Sequence, residues 1–150
     1  MMTGIQQQIG LMTVLAGRWE QASRKVAELA EAIPASEFDA RTPAATRSFS
    51  EGFHHVGFWN QYVADTLNGK GGADVGNELP VAPYPTKVSI LEPLKRTSAD
   101  LAVALREHNG PLDLKATELI MTFVEHASEH YCQLVVYPRL MGIVPPTSRT

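Results

Sequence analysis

The stretch FVEHASEHYCQLVVYPRLMGIVPP, residues 123–146, decides the fold. Its apolar positions follow the period of a helix. At about 100° per residue, Leu119, Phe123, Ala127, Leu134, Tyr137 and Met141 share one arc with Gln133. That arc is the core-facing stripe of an amphipathic helix, and His126 and His130 stand on it, about 40° apart and one turn from each other. Both imidazoles therefore face an apolar interior, where an unpaired one would strand a donor and an acceptor at roughly 1–3 kcal/mol. Neighbouring hydroxyls or carbonyls can satisfy them. So can a metal, because an i, i+4 pair delivers two of the imidazole nitrogens that a divalent ion takes at about 2 Å. The helix should start between Asp113 and Thr117 and stop at Gly142, with Pro145 and Pro146 just beyond and Pro138 bending the last turn.

Three further helices lie upstream. From residue 3 to about 32, Ile5, Ile9, Met12, Trp19, Val26 and Ile33 recur on a four-three spacing, widened by Leu15, Ala22 and Leu29. Residues 34–46 hold two prolines and read as a connection. The second helix opens at Ser48 with Glu51 three residues on, a capping box, and runs to about residue 68. On its wheel Gly52, Trp59, Tyr62, Val63 and Thr66 lie within about 80° of His55, which turns His55 inward. His54 falls with Gln61 and Asp65 and is expected to meet solvent. Residues 69–85 are rich in glycine and proline and form a long irregular crossover, running past one end of the fold and over the site, or acting as a plain connector. A third helix follows from about 86 to 108, with Val88, Leu91, Leu94, Leu101 and Leu105 inward and Pro93 kinking it or marking its first turn. His108, beside Asn109-Gly110-Pro111, reads as a solvated or capping histidine. Four long helices and no strand make an all-α protein, a four-helix bundle with its irregular crossover between helices 2 and 3, in one domain over residues 1–150.

Composition narrows the function classes. A net charge of −3 and the absence of a basic cluster argue against nucleic acid or an anionic membrane as partner. No apolar run approaches the roughly 20 residues that span a bilayer, and the N-terminal apolar run lacks the charged start of a signal peptide. The single cysteine, Cys132, excludes an internal disulfide and a cysteine-rich zinc ribbon, and fits a cytoplasmic protein.

Taken together, RSF at Arg47 to Phe49, His55-Val56 with Asn60 five residues after the histidine, and EHASEHYCQLVVYPRLMGIVPPTSR near the C-terminus resemble the DinB family of DinB/YfiT-like metalloenzymes. The resemblance covers the whole chain. It implies a divalent metal held by a histidine of the second helix and the HxxxH pair of the fourth, here His55, His126 and His130, the three that the wheels turn inward. The chain carries Cys132 where family members often have Gly, and Pro138 where they often have Leu. Cys132 lies about 240° round from His126, so it is expected to be a packed, inert thiol and no ligand.

Three imidazoles without a carboxylate leave a coordination position open, the pattern of catalytic sites. Zinc is the default metal, with nickel, iron or manganese admitted by the same donors. Such a site can activate a water or a thiol, and the family resemblance implies a metal-dependent hydrolase or thiol S-transferase acting on a small molecule. The alternative is a non-catalytic metal- or ligand-binding interaction bundle. Glu51 is explained by its cap, Glu125 should be solvated, and Glu129 leans toward the site without a secure role as base. Trp59, Tyr62 and Gln133 are candidate pocket residues. Met121, Cys132, Val135 and Val136 on the back of the fourth helix point to a homodimer.

Overall fold

The computed structural model describes residues 4–41, 46–71, 76–108 and 113–149, with side chains left aside at 5–9. Four helices are present, α1 (Gly4–Ala32), α2 (Phe49–Leu67), α3 (Lys87–Glu107) and α4 (Leu114–Leu140), with short 3-10 turns at Ala35–Glu37 and Pro146–Ser148 and no strand among the described residues. The side chains of Ile5 and Ile9 and residues 109–112 lie outside what is described.

The starts of α2, α3 and α4 are each fixed by a side-chain cap. Ser48 and Glu51 close the expected box on α2, Thr86 and Ser89 form the same device on α3, and the Asp113 carboxylate accepts from the Ala116 amide at 2.7 Å on α4. α4 ends where Gly142 takes a φ of +77°, a left-handed turn that glycine adopts without a Cβ penalty. Pro93 sits buried inside α3, which begins six residues before it, so it does not mark the first turn.

Two apolar clusters show how the helices run. One joins the first half of α1 (Met12, Leu15, Trp19) to the second halves of α2 and α3 (Val63, Leu101, Leu105) and the first half of α4 (Ile120, Ala127). The other joins the second half of α1 (Val26, Leu29) to the starts of α2 and α3 (Phe49, Phe53, Ile90, Leu94) and the end of α4 (Leu134, Tyr137). Hence α1 and α4 run one way and α2 and α3 the other. Round the bundle the order is α1, α3, α2, α4, since α2 packs on α3 and α4 while α1 packs on the same two. Parallel neighbours explain the long crossover. The chain must climb back along α2, about 28 Å of helix, before α3 can start.

The inward side of α3 differs from expectation at its first turn. Val88 is 78% exposed, whereas Ile90 is fully buried. Two residues on a helix are about 200° apart, so only one of them can face the core. The ladder Ile90, Leu94, Thr97, Leu101, Leu105 sets which.

Candidate metal centre

α2 delivers His55 from a fixed start. Ser48 Oγ accepts from the Glu51 amide at 3.2 Å, and the Glu51 carboxylate accepts from the Ser48 amide at 2.9 Å. The bond to the Ser48 backbone, with Arg41 beside it, holds the Glu51 carboxyl below the usual carboxylate range. Glu51 is thereby committed to the cap, in line with its reading as a structural residue. One turn on, an ideal Cβ at Gly52 would lie 2.9 Å from Leu134 Cδ2, so the missing side chain lets α2 approach α4.

His54 is a correction. It is fully buried, with Nδ1 2.7 Å from the Ser50 carbonyl and Nε2 3.1 Å from the Tyr84 carbonyl. The wheel gave α2 one covered side, but residues 76–84 cover the other. Leu79 seats against Gly57, and its amide donates to the His54 carbonyl at 3.0 Å. Part of the crossover thus lies on α2, beside the site, while residues 72–75 fall outside the described chain.

Antiparallel packing of α2 on α4 brings His55 to the HxxxH pair. The ring centroids stand 5.1 Å apart for His55 and His126, 4.6 Å for His55 and His130, and 4.3 Å for His126 and His130. One ligand nitrogen from each lies within 4.8 Å of the others. His126 Nε2 and His55 Nε2 are 3.1 Å apart. His55 Nδ1 lies 2.7 Å from the Asn77 carbonyl. A carbonyl only accepts, so that nitrogen carries the proton and Nε2 presents its lone pair to the cluster.

Burial favours the neutral form of all three. Desolvation, then the charges of His130 and His55, lowers His126 to about 3. Desolvation and His55 lower His130 to about 4, and desolvation lowers His55 against the opposing pull of Asn77. The Arg47 guanidinium adds to the depression of each. Neutral imidazole is the form that ligates a metal, and a second nitrogen bonded to a backbone carbonyl is the usual support for a ligand histidine. The donor set therefore fits a divalent ion.

The stripe of α4 has a dry edge and a wet edge. Ala127 and Leu134 are buried, His126 and His130 are half-buried, and Gln133 is exposed, so the expectation that Gln133 lies within the core does not hold. Gln133 instead stands on the rim beside His130, where its side chain opposes the desolvation that lowers the imidazole. Trp59 meets His55 and His126 edge-on, at 6.3 and 6.1 Å, and donates from Nε1 to Asn77 Oδ1 at 2.8 Å. Tyr62 lies behind Trp59, at 5.2 Å, and lines a separate cavity of about 510 Å³ with Thr66, His108 and Asp113. His108 takes the C-cap position of α3 with its Nε2 buried and without a hydrogen-bond partner among the described residues. Cys132 is exposed and free, where a packed thiol was expected, and is not in the cluster. Glu125 and Glu129 are exposed.

Asn77 and Glu78 escaped the sequence reading. Glu78 accepts from Arg47 Nε at 3.1 Å, next to the carbonyl that holds His55. The one available signal was the length of the loop that carries them.

Among the described residues no helix is long and apolar enough to cross a membrane. No curated protein sequence matches the chain. The sequence profile of the DinB superfamily matches residues 18–134, a span that includes all three histidines, and the chain belongs to the DinB superfamily.

Proposed function

We propose that this protein is a metal-dependent enzyme of the cytoplasm that acts on a small molecule, with His55, His126 and His130 holding one divalent ion, zinc by default. The observation that carries the reading is the convergence of three neutral imidazoles from two facing helices, one of them locked in its ligating tautomer by the Asn77 carbonyl. Three neutral ligands leave room for a further one, and the half-exposed wet edge of α4 gives it access. When bound, the ion supplies Lewis acidity that lowers the pKa of a water or a thiol.

The chain's own residues supply position and exclusion. Asn77 orients His55, and Trp59 with Phe123 packs against one side of His126. Hydrolysis and transfer of a small thiol are the two reactions this arrangement serves. A non-catalytic binding bundle is the second reading, favoured by one observation: among the described residues Glu51 is tied up in a cap, Glu78 is paired with Arg47, and Glu125 and Glu129 are exposed, so no carboxylate near the site is free to act as general base.

Zinc-, nickel- and manganese-loaded protein, assayed on activated esters and for transfer of small thiols, separates the two. Turnover that chelation removes and His126→Ala lacks is the expected result. Metal uptake without turnover in either assay would favour the binding bundle.

A further inference from the structure

Arg47 sits one residue before the N-cap of α2, and its side chain is 37% exposed. Its Nε–H donates to Glu78 Oε1 at 3.1 Å. Glu78 follows Asn77 directly, so this ion pair and the clamp on His55 share one corner of the crossover. Through Asn77 and Glu78, adjacent in the chain, the guanidinium is two hydrogen bonds away from the ligand His55.

A cation in that place has no simple structural reason. A partly exposed ion pair contributes little to stability, about 0–1 kcal/mol, and a positive charge next to a cation site opposes loading it. Three neutral ligands do nothing to balance the ion, and the nearby Glu51 is already paired with Arg41. Glu78 balances Arg47, so the charge of the ion itself is what an anion beside it would relieve. Glu78 engages only the Nε side of Arg47, and among the described residues its two terminal nitrogens have no hydrogen-bond partner. That terminal edge is the fork that matches the two oxygens of a carboxylate.

We infer that Arg47 receives the carboxylate of the molecule acted on at the three-histidine centre, which makes the substrate a small organic acid bound with its carboxylate toward the crossover and its reacting group toward the imidazoles. The inference rests on the metal-site reading above and names the substrate class for it.

Cobalt(II)-loaded protein gives a spectroscopic readout that does not depend on turnover. It is titrated with 3-mercaptopropionate and with the methyl ester of that acid, which share a thiol and differ in the carboxylate. The parent should bind the acid about tenfold or more tightly than the ester. Arg47→Gln should erase the preference while leaving cobalt content and ester affinity unchanged, and Arg47→Lys should keep part of it. Glu78→Gln, which frees the guanidinium, should keep or raise it. Normal cobalt uptake with no preference for the acid in the parent, or the same preference in parent and Arg47→Gln, would overturn the role of Arg47 and leave the metal site standing. Equal weakening of acid and ester in Arg47→Gln would make Arg47 a loop clamp and also overturn it. A parent that takes up no cobalt would overturn both readings.

Discussion

Replacing Asn77 by alanine should weaken metal binding and leave the bundle folded. The side chain of Asn77 is exposed and contributes nothing to the core, but its Oδ1 accepts from Trp59 Nε1 at 2.8 Å while its carbonyl holds His55 Nδ1 at 2.7 Å. Cutting the first bond keeps the carbonyl but unpins it. The net worth of such a bond is about 0.5–1.5 kcal/mol. If all of it is felt by the His55 clamp, affinity falls roughly two- to twelvefold; complete loss of the clamp would cost about 10- to 100-fold, as other outer partners of ligand histidines do. Zinc affinity is read by competition with a chromophoric chelator at neutral pH, beside a urea melt of each variant. Asn77→Asp, which keeps an acceptor for Trp59 and adds a negative charge near the ion, should bind at least as tightly as the parent. Parental affinity in Asn77→Ala, or an equal loss in Asn77→Asp, would refute the idea that the Trp59 bond steadies the carbonyl.

Three other outcomes are expected. Protein stripped of metal should lose stability as pH falls below about 6.5, the value of a histidine in the unfolded chain, because burial holds His126 near about 3 and His130 near about 4. In that window the unfolded chain binds protons that the folded chain does not, so stability rises with pH there and is flat above it. Urea midpoints across the window should show a shallower slope in a His126→Asn, His130→Asn double variant; an unchanged slope would count against this cause. His54→Ala should cost roughly 1–3 kcal/mol through the lost ring N–H bond to the Ser50 or Tyr84 carbonyl, yet bind metal at full stoichiometry, and loss of metal from a folded variant would contradict its structural role. Finally, we propose a homodimer through the outward side of α4, where Met121, Cys132 and Val136 are exposed although Val135 turns inward; sedimentation that gives a monomer mass at every concentration would remove it.

How legible each part was follows from how local its cause is. The Ser48 box, the stop at Gly142 and the stripe Met12, Trp19, Val26, Ile33 were readable because caps, turns and helical periods are written within a few neighbouring residues. The meeting of His55 with His126 and His130 was readable for the same reason, since two wheels each named an inward histidine. His54 was misread because a wheel holds only the helix, and the cover over its far side comes from residues 76–84. Gln133 was misread in the opposite sense: its angle is that of His126, yet its side chain is exposed, and it is the next residue, Leu134, that packs on α2 at Gly52. Asn77 holds His55 through a backbone carbonyl, which any residue type possesses, so no reading of residue types could have found it.

The central claim is that the three histidines hold a metal. Elemental analysis of the purified, untagged protein beside a variant with His55, His126 and His130 all changed to alanine tests it most directly. Near-stoichiometric divalent metal in the parent and none in the folded variant is the predicted result. No metal in either, with no uptake by the parent when zinc, nickel or manganese is added, would contradict it.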